Sequence, residues 1–203
     1  MTRSLPAEIL IATKNKGKVE ELGRLMSGLP VKLRYLPEFP DVADVEETGS
    51  TFGQNAVLKA AGYARLTGLW AIGDDSGLEV KALGGEPGVH SARYGGEDLS
   101  FEGKMALLLG RLAHHQERAA RFVCVVALAD EAGEVLFTGE GICPGAIADT
   151  PRGTGGFGYD PIFVPDGFEQ TFGELPSAVK QQISHRGRAS ALLIRYLLHF
   201  NAV

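Results

Sequence analysis

Glu8–Thr13 reads EILIAT, a short apolar run, and within a few residues Val19, Leu22, Leu25, Met26 and Leu29 follow at helical spacing. A buried strand that hands over directly to an amphipathic helix is the grammar of an α/β sheet, and it constrains the fold more than any other feature of the chain. The pattern continues. Lys32–Leu36 predicts a second strand. Thr51, with Gln54 three residues on, opens a helix that Gly68 stops. Trp70–Gly73 is a further apolar strand, expected to end at Asp74-Asp75-Ser76-Gly77, and Leu78–Leu83 alternates weakly. Phe101–Leu112 has helical spacing. Arg121–Ala129 and Glu134–Ile142 flank Asp130-Glu131-Ala132-Gly133 as a β-hairpin would. A last helix carries Ala189, Leu192, Leu193, Tyr196, Leu197 and Phe200 on one stripe. The stretches 84–98 and 149–168 are glycine- and proline-rich and predict loops.

The 203 residues suit one domain over 1–203, built in two lobes, and are enough to bury a core without disulfide or metal staples. Two cysteines, Cys124 and Cys143, make neither a disulfide framework nor a zinc site. Lys and Arg number 20 against 25 Asp and Glu, a net charge of −5, which provides no footprint for duplex nucleic acid or an anionic membrane. No secretory h-region and no membrane-length apolar run is present, so a soluble, cytoplasmic protein is expected. The 27 glycines exceed the usual share and gather in loops, as backbone shaped around a ligand would.

Four clusters carry chemistry. Thr13-Lys14-Asn15-Lys16-Gly17-Lys18 lies where a strand becomes a helix, and unpaired N–H groups there favour an anion. It is not a Walker A loop, and a solvated, Asn-capped helix start is the plainer reading. Asp74-Asp75-Ser76-Gly77 follows a strand, where α/β sheets place ligands. Its two carboxylates suit a hard ion such as Mg²⁺, with Glu46 and Glu47 as further ligands, though Asp-Ser-Gly is equally good turn chemistry. Gly153–Pro161 matches G-x-G-x-x-G by letter but lacks the strand before and helix after it. It is either a structural loop or a wall that sets Phe157 or Tyr159 against a flat ring. Lys180 precedes Ser184-His185-Arg186-Gly187 by one helical turn, and Asn55 and Lys59 share a helix face at the same spacing, facing a cleft or solvent. His114, His115 and His199 have no partner at metal-ligand spacing.

Taken together and in order, these segments resemble the Ham1-like family of inosine/xanthosine triphosphate pyrophosphatases. The matching stretches are Thr13–Lys18, Glu46-Glu47-Thr48-Gly49, Phe52–Lys59, Asp74–Leu78, Gly84-Gly85-x-Pro87-Gly88, Ser91-Ala92-Arg93-Tyr94, Gly155–Pro161 and Ser184–Gly187. Lys14 departs from the small residue the family often has. The resemblance implies an elongated mixed sheet flanked by helices, two lobes with a central cleft, and a homodimer. It implies Mg²⁺-dependent hydrolysis of ITP, dITP or XTP to the monophosphate and pyrophosphate. Carried over by position, Asp75 becomes the general base and a metal contact, with Asp74, Glu46 and Glu47 supporting the metal. Thr13, Lys14, Asn15, Lys16, Gly17 and Lys18 hold the phosphates with Lys180, and Asn55, Lys59 and Ser76 are further substrate-binding residues. Phe157, Gly158, Tyr159, Asp160, His185 and Arg186 take base and sugar, Arg186 favouring a 6-oxo acceptor over a 6-amino donor. A non-enzymatic nucleotide sensor and a hydrolase of modified pyrimidine nucleotides are the competing expectations.

Overall fold

The computed structural model describes residues 4–200. Among these residues five α-helices accompany a mixed six-stranded sheet: β1 (Glu8–Ile11), α1 (Lys16–Leu25), β2 (Lys32–Tyr35), α2 (Phe52–Thr67), β3 (Trp70–Val80), α3 (Phe101–Arg111), β4 (Ala119–Ala129), β5 (Val135–Ile147), β6 (Phe163–Pro165), α4 (Ser177–Ile183) and α5 (His185–His199). The strand order is β2-β1-β3-β4-β5-β6. β1 pairs in parallel with both β2 and β3, which the intervening helices α1 and α2 make possible. β6 closes the other edge antiparallel to β5. This is the α/β class that the alternation of elements predicts.

The chain divides into two compact units. The first takes residues up to Asp75, Cys124–Gly141 and the chain from Arg186 on; the second takes Ser76–Val123 and Ile142–His185. Each has its own apolar core. In the first, Ile9, Ile11, Leu22, Met26, Ile72, Val126 and Leu193 pack together. In the second, Leu78, Leu108, Phe122, Ile162, Phe163 and Phe172 do so. Of the C-terminal stripe, Ala189, Leu193 and Leu197 are fully buried core, whereas Leu192 is exposed.

Local chemistry accounts for the helix starts. The Asn15 side chain accepts the Lys18 N–H, the Thr51 hydroxyl accepts the Gln54 N–H, and Ser100 accepts the Gly103 N–H. The Gln54 side chain returns a bond from the Ser50 N–H at 2.8 Å. Gly68 ends α2 in the left-handed region, at φ 68°.

Four expectations are corrected. β3 does not stop at Asp74 but runs unbroken from Trp70 to Val80, because its carboxylates find partners in packed helices rather than turning back on their own backbone. β5 continues past Ile142 to Ile147. The 149–168 loop contains the short strand β6, held by its pairing with β5. Lys180 and Arg186 do not share one helix: Ser184, with ψ 158°, breaks α4 from α5.

Candidate active site

In the first unit the site is assembled around the end of β1, the middle of β3 and the starts of α1 and α2. Closeness begins at Gly73. A Cβ there would lie 2.2 Å from the Ala56 carbonyl oxygen and 2.7 Å from the Ala60 nitrogen, so only glycine lets α2 come this near the strand. Ala56, Ala60 and Ala64 form the small-residue stripe that makes the approach, and all three are fully buried. The neighbouring stripe of α2 presents Asn55 and Lys59.

Successive strand residues point to opposite faces, so Asp74 and Asp75 enter different surroundings. The structure does not bring the two carboxylates onto one face. Asp74, 1% exposed, receives the Arg186 Nε at 2.9 Å and the Cys124 thiol at 3.0 Å on Oδ2. Its Oδ1 lies 2.5 Å from the Lys18 Nζ. Burial pushes its pKa up, but the charges of Arg186 and Lys18 and the donated hydrogen bonds outweigh that and hold it well below the usual carboxylate range. Arg186, also 1% exposed, donates its Nη1 to Glu21 of α1 at 2.5 Å. Burial and the negative charge of Asp74 push the Cys124 thiol well above its ordinary value, so it stays protonated and remains a donor.

Asp75 faces α2. Its Oδ1 lies 3.2 Å from the Lys59 Nζ and its Oδ2 3.2 Å from the Asn55 Nδ2. The same Lys59 Nζ reaches Glu47 Oε2 at 3.0 Å. Here burial wins: it raises the Asp75 pKa, Lys59 and Lys18 oppose it, and the nearby charges of Glu47 and Asp74 add to the rise. The Lys59 pKa is raised as well, but against burial rather than by it. Burial lowers its pKa, but Asp75, Glu47 and Asp74 more than compensate and keep it a cation.

The strand-to-helix turn sits beside this pair. Thr13 Oγ1 accepts the Asn15 N–H at 3.2 Å, and Asn15 caps α1. Lys16 is exposed, Gly17 and Lys18 are half-buried, and exposed Lys14 pairs with Asp44 of the acidic loop. Glu46 is exposed.

The second unit holds the other predicted residues. Asp160, 2% exposed, accepts the Phe157 N–H at 2.7 Å and the Lys180 Nζ at 2.5 Å through one oxygen. Lys180 Nζ stands 4.9 Å from the Phe157 ring centroid and 5.7 Å from that of Phe172. Gly156, at φ 71°, is required here, since a Cβ would fall 1.9 Å from Asp160 Oδ2. Gly158 is half-buried in the same loop, and Ser76 follows Asp75 in β3. Tyr159 belongs to the core: it is 3% exposed, donates to the Ser91 carbonyl at 3.0 Å and meets Phe101 edge-on. His185 stacks on Phe122 at 4.6 Å. Glu21 went unnoticed in the sequence, and Cys124 was read there only as neither a disulfide partner nor a zinc ligand. Glu21 follows Lys18 by three residues on α1, which places the two on one helix face.

A sequence model described as the Ham1 family matches residues 9–196. The chain belongs to the Ham1 family. A relative from Geobacter sulfurreducens named dITP/XTP pyrophosphatase is 49% identical over 93% of this chain and 96% of its own. One of the same name from Geobacillus kaustophilus is 50% identical over 90% of each. Among solved structures, a HAM1 protein from Coxiella burnetii superposes with a TM-score of 0.87 at 40% identity, over 96% of this chain and 100% of that one. The Staphylococcus aureus Ham1 protein gives 0.84 at 42% identity, over 95% and 98%. The mixed sheet with flanking helices is thus that of the Ham1 fold.

Among the described residues no group of three or more His, Cys, Asp or Glu side chains converges as a ready metal cage. The donor set nevertheless fits a hard divalent cation in kind. Glu47 and Asp75 offer oxygen ligands only, Glu47 is partly exposed, and the two already share one cationic atom, the Lys59 ammonium. Asp74 is spent on Arg186, Lys18 and Cys124.

Proposed function

We propose that this chain hydrolyses non-standard purine nucleoside triphosphates (ITP, dITP and XTP) to the monophosphate and pyrophosphate, with Asp75 as the general base. The observation that carries this reading is the state of Asp75: a buried carboxylate with a raised pKa, held by one amide and one ammonium beside a helix start rich in lysine. Water attacking the α-phosphorus must lose a proton, and a base works best when its pKa is drawn towards the operating pH. Burial and Glu47 draw Asp75 that way, while Lys59 keeps enough of it ionised to accept. Thr13 to Lys18 bind and orient the phosphates through exposed N–H groups and lysines, and Lys18 and Lys59 offset charge that builds on the leaving pyrophosphate.

Mg²⁺ belongs to the same reading, held by Glu47 and Asp75 with Glu46 at hand. When bound it lowers the pKa of water and screens the phosphates. Within the second unit, the Phe157 face and the Asp160–Lys180 pair offer a flat purine ring stacking, an acceptor and a donor. The ammonium of Lys180, which the resemblance assigns to the phosphates, in our reading takes the base instead and favours a 6-oxo over a 6-amino group, a discrimination worth tens to hundreds of fold at ~1–3 kcal/mol. The guanidinium of Arg186, engaged by Asp74 and Glu21, serves in our reading to hold Asp74 rather than to read the base. A cytoplasmic homodimer completes the proposal, and sedimentation tests the dimer.

The decisive variant is Asp75→Asn. It should release pyrophosphate from ITP at least ~10²-fold more slowly with an unchanged circular dichroism spectrum. A near-normal rate removes Asp75 as base.

A further inference from the structure

Asn55 makes no surface contact. It is 1% exposed, and both ends of its carboxamide are in use: Oδ1 accepts the Gly49 N–H at 2.8 Å, and Nδ2 donates to Asp75 Oδ2 at 3.2 Å. The orientation is unambiguous, because a backbone N–H only donates and an ionised carboxylate only accepts. One side chain therefore ties the acidic loop to β3. Gly49 is built for that tie: a Cβ there would lie 2.6 Å from the Asn55 Oδ1 and 2.6 Å from the Gln54 Cβ. The loop is anchored on its other side too. The Val45 N–H donates to the Tyr63 hydroxyl at 3.3 Å, and Val45 fills the space that a side chain at Gly62 would need. Glu47 sits between these anchors, which is how its Oε2 and Asp75 Oδ1 meet the same Lys59 nitrogen.

We propose that Asn55 is a positioning residue rather than a substrate contact: its carboxamide holds Glu47 and Asp75 at the separation from which they act together, on a cation and on the attacking water. The inference rests on the pyrophosphatase reading above. Only this side chain meets the geometry. An aspartate would set a like charge against Asp75, and a glutamine is one methylene too long for a gap bounded by Gly49 and β3. Because the bonds run to the loop and to the base, losing them degrades turnover and cation affinity while the phosphate-holding turn at Thr13–Lys18 is untouched.

The test compares wild-type protein with Asn55→Ala, Asn55→Ser and Gly49→Ala, the last leaving Asn55 and Asp75 in place but pushing the loop away. Each is checked by thermal melting. Pyrophosphate release from ITP then gives kcat and KM, and electron paramagnetic resonance measures Mn²⁺ binding to the substrate-free protein. We expect kcat to fall about 10- to 100-fold in Asn55→Ala and Gly49→Ala, with KM within about threefold and Mn²⁺ dissociation constants raised about tenfold or more. Asn55→Ser, which keeps a short donor, should recover part of the loss. Folded variants with wild-type kcat and Mn²⁺ affinity, or a rise in KM at constant kcat, overturn the proposal. Should the Asn55 variants not fold, Gly49→Ala decides by the same criteria. A wild-type protein that releases no pyrophosphate sinks the activity, and the Mn²⁺ comparison still judges the tie.

Discussion

Burial alone would push both Asp74 and Asp75 towards protonation; what separates them is the number of donors each one meets. Asp74 meets Arg186, Lys18 and Cys124, and its pKa falls well below the ordinary 3.8, whereas Asp75 meets Lys59 and Asn55 with Glu47 close by, and its pKa rises above 3.8. The signs give two predictions. A carboxylate with a depressed folded-state pKa contributes stability that is present above the unfolded value, near 3.8, and is lost as pH falls through the folded value. Stability should therefore drop on acidification below about pH 4, and Asp74→Asn should remove that Asp74-dependent part of the loss. The same variant should cost about 3–5 kcal/mol at neutral pH by leaving Arg186 short of a partner, as denaturant titration would measure. Asp75 acts as a base only when ionised, so activity falls on the acid side of its raised pKa. Lys59→Gln removes the largest charge holding that pKa down, so the acid limb of kcat/KM should move to higher pH. A limb that stays put or moves lower contradicts the assignment.

Among the elements, the contact of α2 with β3 does most to place the site. At Gly73 a methyl group would strike backbone atoms of Ala56 and Ala60, which cannot swing aside. Gly73→Ala should cost more than about 3 kcal/mol and lower the melting temperature by about 6–12 °C or more, or prevent folding. A variant that melts within a few degrees of wild type would show that α2 can retreat. This contact also explains what the sequence reveals. The capped starts of α1 and α2 and the glycine stop of α2 were legible, since each depends on residues a few positions apart. The path of β3 was not: Asp-Asp-Ser-Gly reads as a turn until Arg186 arrives from 112 residues away. Nor was the break at Ser184 legible, because Lys180 and Arg186 are close enough in sequence to read as one helix.

For the whole molecule, the alternation of strands and helices was readable from the apolar periodicity, and the residue clusters were readable as motifs. Their grouping was not. Asp74 and Asp75 look like one pair of ligands, yet the pleat sends them apart, and Glu21 bonds to Arg186 from 165 residues away. Tyr159 reads as a ring for stacking and is a core residue instead. Among the described residues no helix is long and apolar enough to cross a membrane.

The central claim is that an Asp75-based site cleaves the α–β phosphoanhydride of deaminated purine nucleotides. The most direct measurement incubates the purified chain with Mg²⁺ and, in turn, ITP, dITP, XTP, GTP and ATP, and resolves the products. The account predicts one pyrophosphate per monophosphate from ITP, dITP and XTP, with ATP turned over tens to hundreds of times more slowly. Orthophosphate and a diphosphate as products, or equal rates on ATP and ITP, would contradict it.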